Sequence, residues 1–171
     1  MSDLRERIRE VADFPTPGVG FKDITPLLAD PLALRQTIDE LAGWVGRKDA
    51  ELVLGAEARG FILGAAIAER AGAGFVPARR PGKLPPETVG ATYLLEYGEN
   101  ALEVHPDLIP PGSRVVIHDD VLATGGTVEA IRGLVESLGG TVLGACFIIE
   151  LTFLGGRERL AGTDLFALID Y

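Results

Sequence analysis

The chain has 171 residues, 47% of them hydrophobic, and a net charge of −9. That length and apolar share suit one domain with a core of its own and no need of disulfide or metal staples. The charge excludes broad nucleic-acid binding, which requires an extended basic face, but not a small anionic ligand held by a few cations and N–H groups. Cys146 is the one cysteine, so no internal disulfide and no cysteine-metal cluster is expected, which fits a reduced cytoplasmic setting. Residues 1–11 alternate Arg and Glu and do not read as a signal peptide. No apolar run approaches the roughly 20 residues that span a bilayer, so no membrane partner is expected.

Residues 4–11 are predicted as a short amphipathic helix. Residues 14–25 carry Pro15, Pro17, Gly18 and Gly20 and are expected to be irregular. Asp30 is a good N-cap and Pro31 suits the first helical position. The helix that follows shows Leu34, Ile38, Leu41 and Val45 on one face. Strand and helix then alternate, with a strand over 51–54, a helix over 61–71 and a strand over 75–78. Residues 81–86 read as a stiff exposed loop, and 88–104 as a β-hairpin with its turn at 98–100. A strand over 114–118 leads through a turn into a helix over 127–138, with Val128, Ile131, Val135 and Leu138 on one stripe and a stop at Gly139-Gly140. Residues 142–151 are nearly all apolar, as in a strand buried on both faces, and 165–169 make a last strand. This alternation implies an α/β fold, a parallel sheet flanked by helices in a single domain over 1–171. The loop and hairpin over about 79–104 break the rhythm and read as a flexible lid.

The strongest chemical signal is VVIHDDVLATGGT, residues 115–127. A buried strand is expected to end at His118, two acids follow, and a Gly/Thr-rich turn enters a helix. A helix start offers free N–H groups and the positive end of the macrodipole. Gly125 and Gly126 let the backbone approach a phosphate, and Thr124 and Thr127 add hydroxyls. Ala123, Thr124, Gly125, Gly126 and Thr127 therefore read as an anion cradle. Asp119 and Asp120 would repel phosphate, but they suit the hydroxyls of an adjoining ribose, directly or through a metal. No Lys follows the glycines, so this is not a Walker A loop, nor does it carry the G-x-G-x-x-G spacing of dinucleotide sites.

At these residues the chain resembles the type I phosphoribosyltransferases, and DDVLATGGT looks like the version in those that use adenine. FPTPGVGFKDITPLL (14–28), GAEARGF (55–61), RRPGKLP (79–85) and LEYG (95–98) agree with that family in order along the chain. The resemblance implies a Rossmann-like fold with a small N-terminal hood over about 1–30 and an inserted hairpin lid. It implies transfer of the 5-phosphoribosyl group from 5-phosphoribosyl-1-pyrophosphate (PRPP) to adenine, giving AMP and pyrophosphate in purine salvage. It also implies Mg2+ carried with PRPP, touched by Asp119 or Asp120 through water, and a homodimer.

The same resemblance distributes roles. Ala58, Arg59 and Gly60 form a pyrophosphate loop, which in such enzymes often holds a non-proline cis peptide, and Arg59 offers a bidentate fork. Arg79, Arg80 and Lys83 meet the leaving pyrophosphate, with Pro81 where a basic residue is common. Glu96 exchanges a proton with the purine ring and Tyr97 closes the lid. Gly20, Phe21 and Lys22 receive adenine: Phe21 stacks on the base, backbone near Gly20 reads its amine edge, and Lys22 stands where many relatives carry Arg. His118, at a position usually aliphatic, is expected to be a satisfied strand histidine, and His105 to face solvent. Other readings are a sister enzyme for another base, a PRPP sensor without activity, and a generic nucleotide-binding module. The basic loop and hairpin speak against the last.

Overall fold

The computed structural model describes residues 3–95 and 98–171. A 3-10 turn over Leu4–Arg7 follows Asp3, whose side chain accepts from the Arg5 N–H. The helix expected over 4–11 stops there. The backbone extends at Ile8 and forms β1 (Arg9–Val11), antiparallel to β2 (Phe21–Asp23). The register sets Arg9 opposite Asp23 and Glu10 opposite Lys22, with ion pairs at 3.3 and 2.9 Å. Cross-strand pairing of opposite charges thus outweighs the local helical period. The segment expected to be irregular ends in this ribbon, and its Phe14–Pro15 bond is cis.

After α1 (Thr25–Ala29) comes α2 (Pro31–Gly46). It starts as the sequence predicts: Asp30 Oδ1 accepts from the N–H groups of Leu32 and Ala33, and Pro31 needs no acceptor. Next are β3 (Leu52–Ala56), α3 (Arg59–Ala71) and β4 (Gly74–Ala78). The hairpin β5 (Val89–Leu95) and β6 (Gly98–Val104) follows, then β7 (Arg114–Leu122), α4 (Gly126–Ser137), β8 (Thr141–Glu150), α5 (Gly156–Arg159) and β9 (Leu165–Asp170). Residues 98–100, expected as the hairpin turn, belong to β6 and pair with Leu95, Leu94 and Tyr93. β7 does not stop at His118 either. β8 supplies Phe147, Ile149 and Glu150 as partners, so pairing continues through the two acids to Leu122.

The main sheet is parallel, ordered β4-β3-β7-β8-β9. Leu41 and Val45 of α2 and Leu63 and Ile67 of α3 pack with Val53, Val116 and Ile148 in one core cluster. Val128, Ile131 and Val135 of α4, joined by Leu102 and Val104 of β6, pack with Leu54, Ile117 and Phe147 in the other. Each fully buried Leu, Ile or Val contributes roughly 1.5–3 kcal/mol. The chain leaves β3 toward β4 and returns to β7 on the other side of β3. In open α/β sheets that reversal opens a crevice beyond the carboxyl ends of the two strands, where ligands bind.

Candidate active site

The turn from β3 into α3 lies at one side of the crevice and contains a cis peptide at Glu57–Ala58. α3 starts at Arg59 without a side-chain cap, which leaves its first N–H groups available. Gly60 allows the close approach of this turn to β7, because a Cβ there would lie 2.8 Å from the His118 carbonyl oxygen and 3.2 Å from Asp119 Oδ1. Arg59 is thereby delivered to Asp120, with Nε 2.7 Å from Oδ2. The contact is electrostatic, since the buried Oδ2 has no aligned hydrogen bond. The same guanidinium lies 5.2 Å from the centroid of Phe21.

Desolvation, and then the charge of Asp120, push the Asp119 carboxyl well above its usual range. Desolvation raises Asp120 too, against the opposing pull of Arg59. Two adjacent carboxylates that resist carrying two charges are poised for hydroxyl donors or a cation. Among the described residues no group of three His, Cys, Asp or Glu could hold a metal. The donors present fit a hard cation that keeps its waters and binds mainly through substrate oxygens.

The loop from β7 into α4 forms the next wall. Gly125 has φ +80° and α4 lacks a side-chain cap, so the Gly/Thr turn leads into a helix start whose first N–H groups no side chain caps. α5 supports it from beneath. A Cβ on Gly156 would sit 2.2 Å from the Ala123 carbonyl oxygen, and one on Gly125 would sit 3.0 Å from that of Gly156. Arg157 fixes α5 by gripping Glu150 at the end of β8, Nε to Oε1 at 2.9 Å and Nη2 to Oε2.

A cleft of about 500 Å³ joins these pieces. It is lined by Gly20, Phe21, Lys22, Arg59, Asp119 and Asp120, and by Ala123, Thr124 and Thr127 of the cradle. Leu151, Phe153 and Leu154 complete it, and the sequence reading missed them. They follow β8, so the rule that ligands gather beyond strand carboxyl ends was the available signal. Another hollow, beside Pro86, His105 and Leu108, has no Lys or Arg in its lining and does not suit an anionic ligand.

Lys22 lines the cleft, but its ammonium is engaged elsewhere. Nζ lies 2.9 Å from Glu10 Oε1 and 4.1 Å from the Tyr171 ring centroid. Tyr171 is in turn held by Thr152, whose N–H and hydroxyl both donate to its carbonyl.

Arg79, Arg80 and Lys83 are outside that lining and form a neighbouring loop tied to the β3–α3 turn. Glu57 Oε2 accepts from the Arg80 N–H at 2.9 Å and lies 3.4 Å from Arg79 Nε. The Arg80 N–H does most to hold the Glu57 carboxyl below its usual range, against the push of burial. Arg79 Nη1 donates to the Lys83 carbonyl at 3.0 Å. Arg80 and Lys83 are exposed. Glu103 on β6, another residue the sequence reading missed, accepts from the N–H groups of Gly82 and Leu84 and from the Thr88 hydroxyl. The signal was an acid between Leu102 and Val104 in a strand leading back from a Gly/Pro loop.

Glu96 and Tyr97 lie outside the described residues. His118 is satisfied on one side only, a correction to the expectation. Its Nδ1 donates to the Cys146 carbonyl at 3.0 Å, while the buried Nε2 has no partner. Burial pushes this histidine down to about 4. His105 is half-buried rather than solvent-facing, with Nδ1 3.0 Å from the Glu87 carbonyl oxygen.

A phosphoribosyl transferase domain model matches residues 28–160. The chain is 52% identical over 168 residues to an adenine phosphoribosyltransferase of Clostridium perfringens, covering 98% of each. Its fold matches the crystal structure of an adenine phosphoribosyltransferase from Thermoanaerobacter pseudethanolicus with a TM-score of 0.95 at 51% identity, covering 98% of each chain. It matches that of the Saccharomyces cerevisiae enzyme, complexed with an imino-altritol bisphosphate and adenine, with a TM-score of 0.89 at 37% identity, covering 96% of each.

Proposed function

The chain belongs to the adenine phosphoribosyltransferases, and from that premise we propose how its residues divide the transfer of the 5-phosphoribosyl group from PRPP to adenine, with release of AMP and pyrophosphate. One observation carries the division of labour. Two helix starts without side-chain caps, at Arg59 and Gly126, flank a cleft that Asp119 and Asp120 also line. That is a site for a ligand with an anion at each end and hydroxyls in the middle.

The cradle over Ala123, Thr124, Gly125, Gly126 and Thr127 holds the 5-phosphate. Asp119 and Asp120 accept from the ribose hydroxyls. Ala58, Arg59 and Gly60 face the pyrophosphate, with Arg79, Arg80 and Lys83 beside them. Adenine enters between Gly20, Phe21 and Lys22 on the hood and Leu151, Phe153 and Leu154 opposite. Phe21 lies edge-on to Phe14 at 5.2 Å, which stiffens the ring against which a purine stacks.

Displacement at the anomeric carbon passes through an oxocarbenium-like state, and no protein nucleophile is needed. Charge gathers on pyrophosphate as the bond breaks, so Arg59, Arg79 and Lys83 act where the transition state is more anionic than the ground state. Glu96 exchanges the proton of the purine ring and Tyr97 closes the lid. Asp119 or Asp120, through water, would help hold a magnesium ion brought in with PRPP, and such an ion would supply charge neutralisation at the pyrophosphate. A homodimer is proposed on the family likeness alone. A cytoplasmic place in purine salvage accords with the single, buried cysteine.

The test is product formation from PRPP and Mg2+ with adenine, hypoxanthine, guanine, xanthine and orotate offered separately. AMP from adenine, with little product from the others, is the expected result. Turnover of another base in its place would overturn the hood assignment. PRPP binding without any turnover would point to a sensor.

A further inference from the structure

We infer that Glu103 is a positioning residue for the pyrophosphate end of the site, fixing the shape of the loop that presents Arg79, Arg80 and Lys83. The inference rests on the assignment of that loop to pyrophosphate. Glu103 lies between Leu102 and Val104, which are 3% and 0% exposed in the core. The base of β6 is therefore packed into the core, and alternation turns Glu103 to the other side.

There its carboxylate is almost covered, yet every bond it makes goes to the loop and the start of the hairpin. Oε1 accepts from the Gly82 N–H at 3.0 Å and from the Leu84 N–H at 3.3 Å, and Oε2 from the Thr88 hydroxyl at 3.1 Å. The backbones of Arg79 and Glu103 exchange two further bonds, at 2.9 and 2.7 Å. Burial alone would push this carboxyl up. The Leu84 N–H, the Thr88 hydroxyl and the N–H groups of Gly82 and Lys83 outweigh it and hold the group below its usual range. Because Arg79 is itself bonded to the Lys83 carbonyl, the course of the loop decides where its cations stand. Without an anchor the loop would have to be ordered by the ligand, at a cost in affinity.

The experiment measures forward and reverse kinetics of Glu103→Ala and Glu103→Gln. For Glu103→Ala, KM for PRPP and, in the reverse reaction, KM for pyrophosphate are expected to rise roughly tenfold or more, the scale set by losing charged hydrogen bonds. KM for adenine and for AMP is expected to stay within about twofold, since the hood and cradle are untouched. Glu103→Gln keeps a carbonyl oxygen for the two N–H groups and should recover most of the loss. Thr88→Val, which removes one bond and leaves the core alone, should shift the pyrophosphate KM in the same direction by less, and it decides the matter if Glu103→Ala does not fold. Equal losses in every parameter, no recovery with Gln, or an unchanged pyrophosphate KM would overturn the inference. Lys83→Met is the control for the underlying assignment. If it raises the pyrophosphate KM while Glu103→Ala does not, the anchor fails and the assignment stands. If neither variant moves it, both fail.

Discussion

Arg59 and Asp120 meet across the crevice between β3 and β7, Nε to Oδ2 at 2.7 Å, and Asp120 is nearly covered while Arg59 is half-exposed. The guanidinium also faces Phe21. One cation therefore touches the acid assigned to the ribose and the ring assigned to the base. Losing it would leave a buried carboxylate without its counter-charge.

Arg59→Met is accordingly expected to lower kcat by roughly 10²–10³-fold, the usual scale for removing one preorganised electrostatic partner. Arg59→Lys should recover only a small part, because an ammonium cannot offer the planar fork. Steady-state kinetics with both substrates would check this. A lysine variant close to wild type would mean that charge alone matters here.

Gly156→Ala tests the support beneath the proposed phosphate cradle. The new Cβ would lie 2.2 Å from the Ala123 carbonyl oxygen, so the loop must move. The expected outcome is a rise in KM for PRPP of roughly tenfold with adenine KM little changed, since a misplaced cradle loses charge-assisted bonds to phosphate. Titration of PRPP against the variant reads this directly, and unchanged affinity would show that the cradle tolerates the shift.

Arg157→Ala removes the grip on Glu150, a carboxylate only 6% exposed. A buried charge left without its partner should cost about 2 kcal/mol. For a chain of this size that corresponds to a fall in Tm of roughly 4–8 °C. Thermal unfolding monitored by circular dichroism is the measurement, and an unchanged Tm would show that water replaces the guanidinium at no cost.

His118 makes the fold sensitive to acid in a defined direction. Its Nδ1–H is bonded to Cys146, so protonation would place a second N–H, on Nε2, where no acceptor is present. The ring titrates at about 4 when folded against 6.5 ordinarily. Between those values the unfolded chain binds the extra proton. Stability from this group is thus full above pH 6.5, declines as pH falls, and by pH 4 is lower by about 3 kcal/mol. His118→Val should flatten that part of the Tm–pH profile. It should be at least as stable at neutral pH, because the orphaned nitrogen and its desolvation cost of roughly 1–3 kcal/mol are gone. Melting curves at several pH values would reject the idea if the two proteins kept the same slope.

What could be read in advance was what short-range chemistry decides. Asp30-Pro31 announces a helix, Gly139-Gly140 ends one, and Gly125-Gly126 marks the turn that opens α4. What could not be read depended on distant partners. Residues 9–11 become a strand only because residues 21–23 return alongside them. β7 runs past His118 because β8 continues beside it. The Lys22 ammonium is engaged by Glu10 across the β1–β2 ribbon and by the ring of Tyr171, nearly the whole chain away in sequence. Glu103 reads as one more acid in an alternating strand until the loop at 82–84 folds over it.

Cys146 lies beneath His118 in the core, fully covered, and burial pushes its thiol up. The thiolate is the species that reacts, so this sulfur is closed to alkylating reagents while the fold holds. The unaltered chain is in effect already a cysteine-free background for labelling. A single cysteine introduced at an exposed site such as Ser137 would carry a fluorophore or spin label by itself, without replacing any native residue in the core.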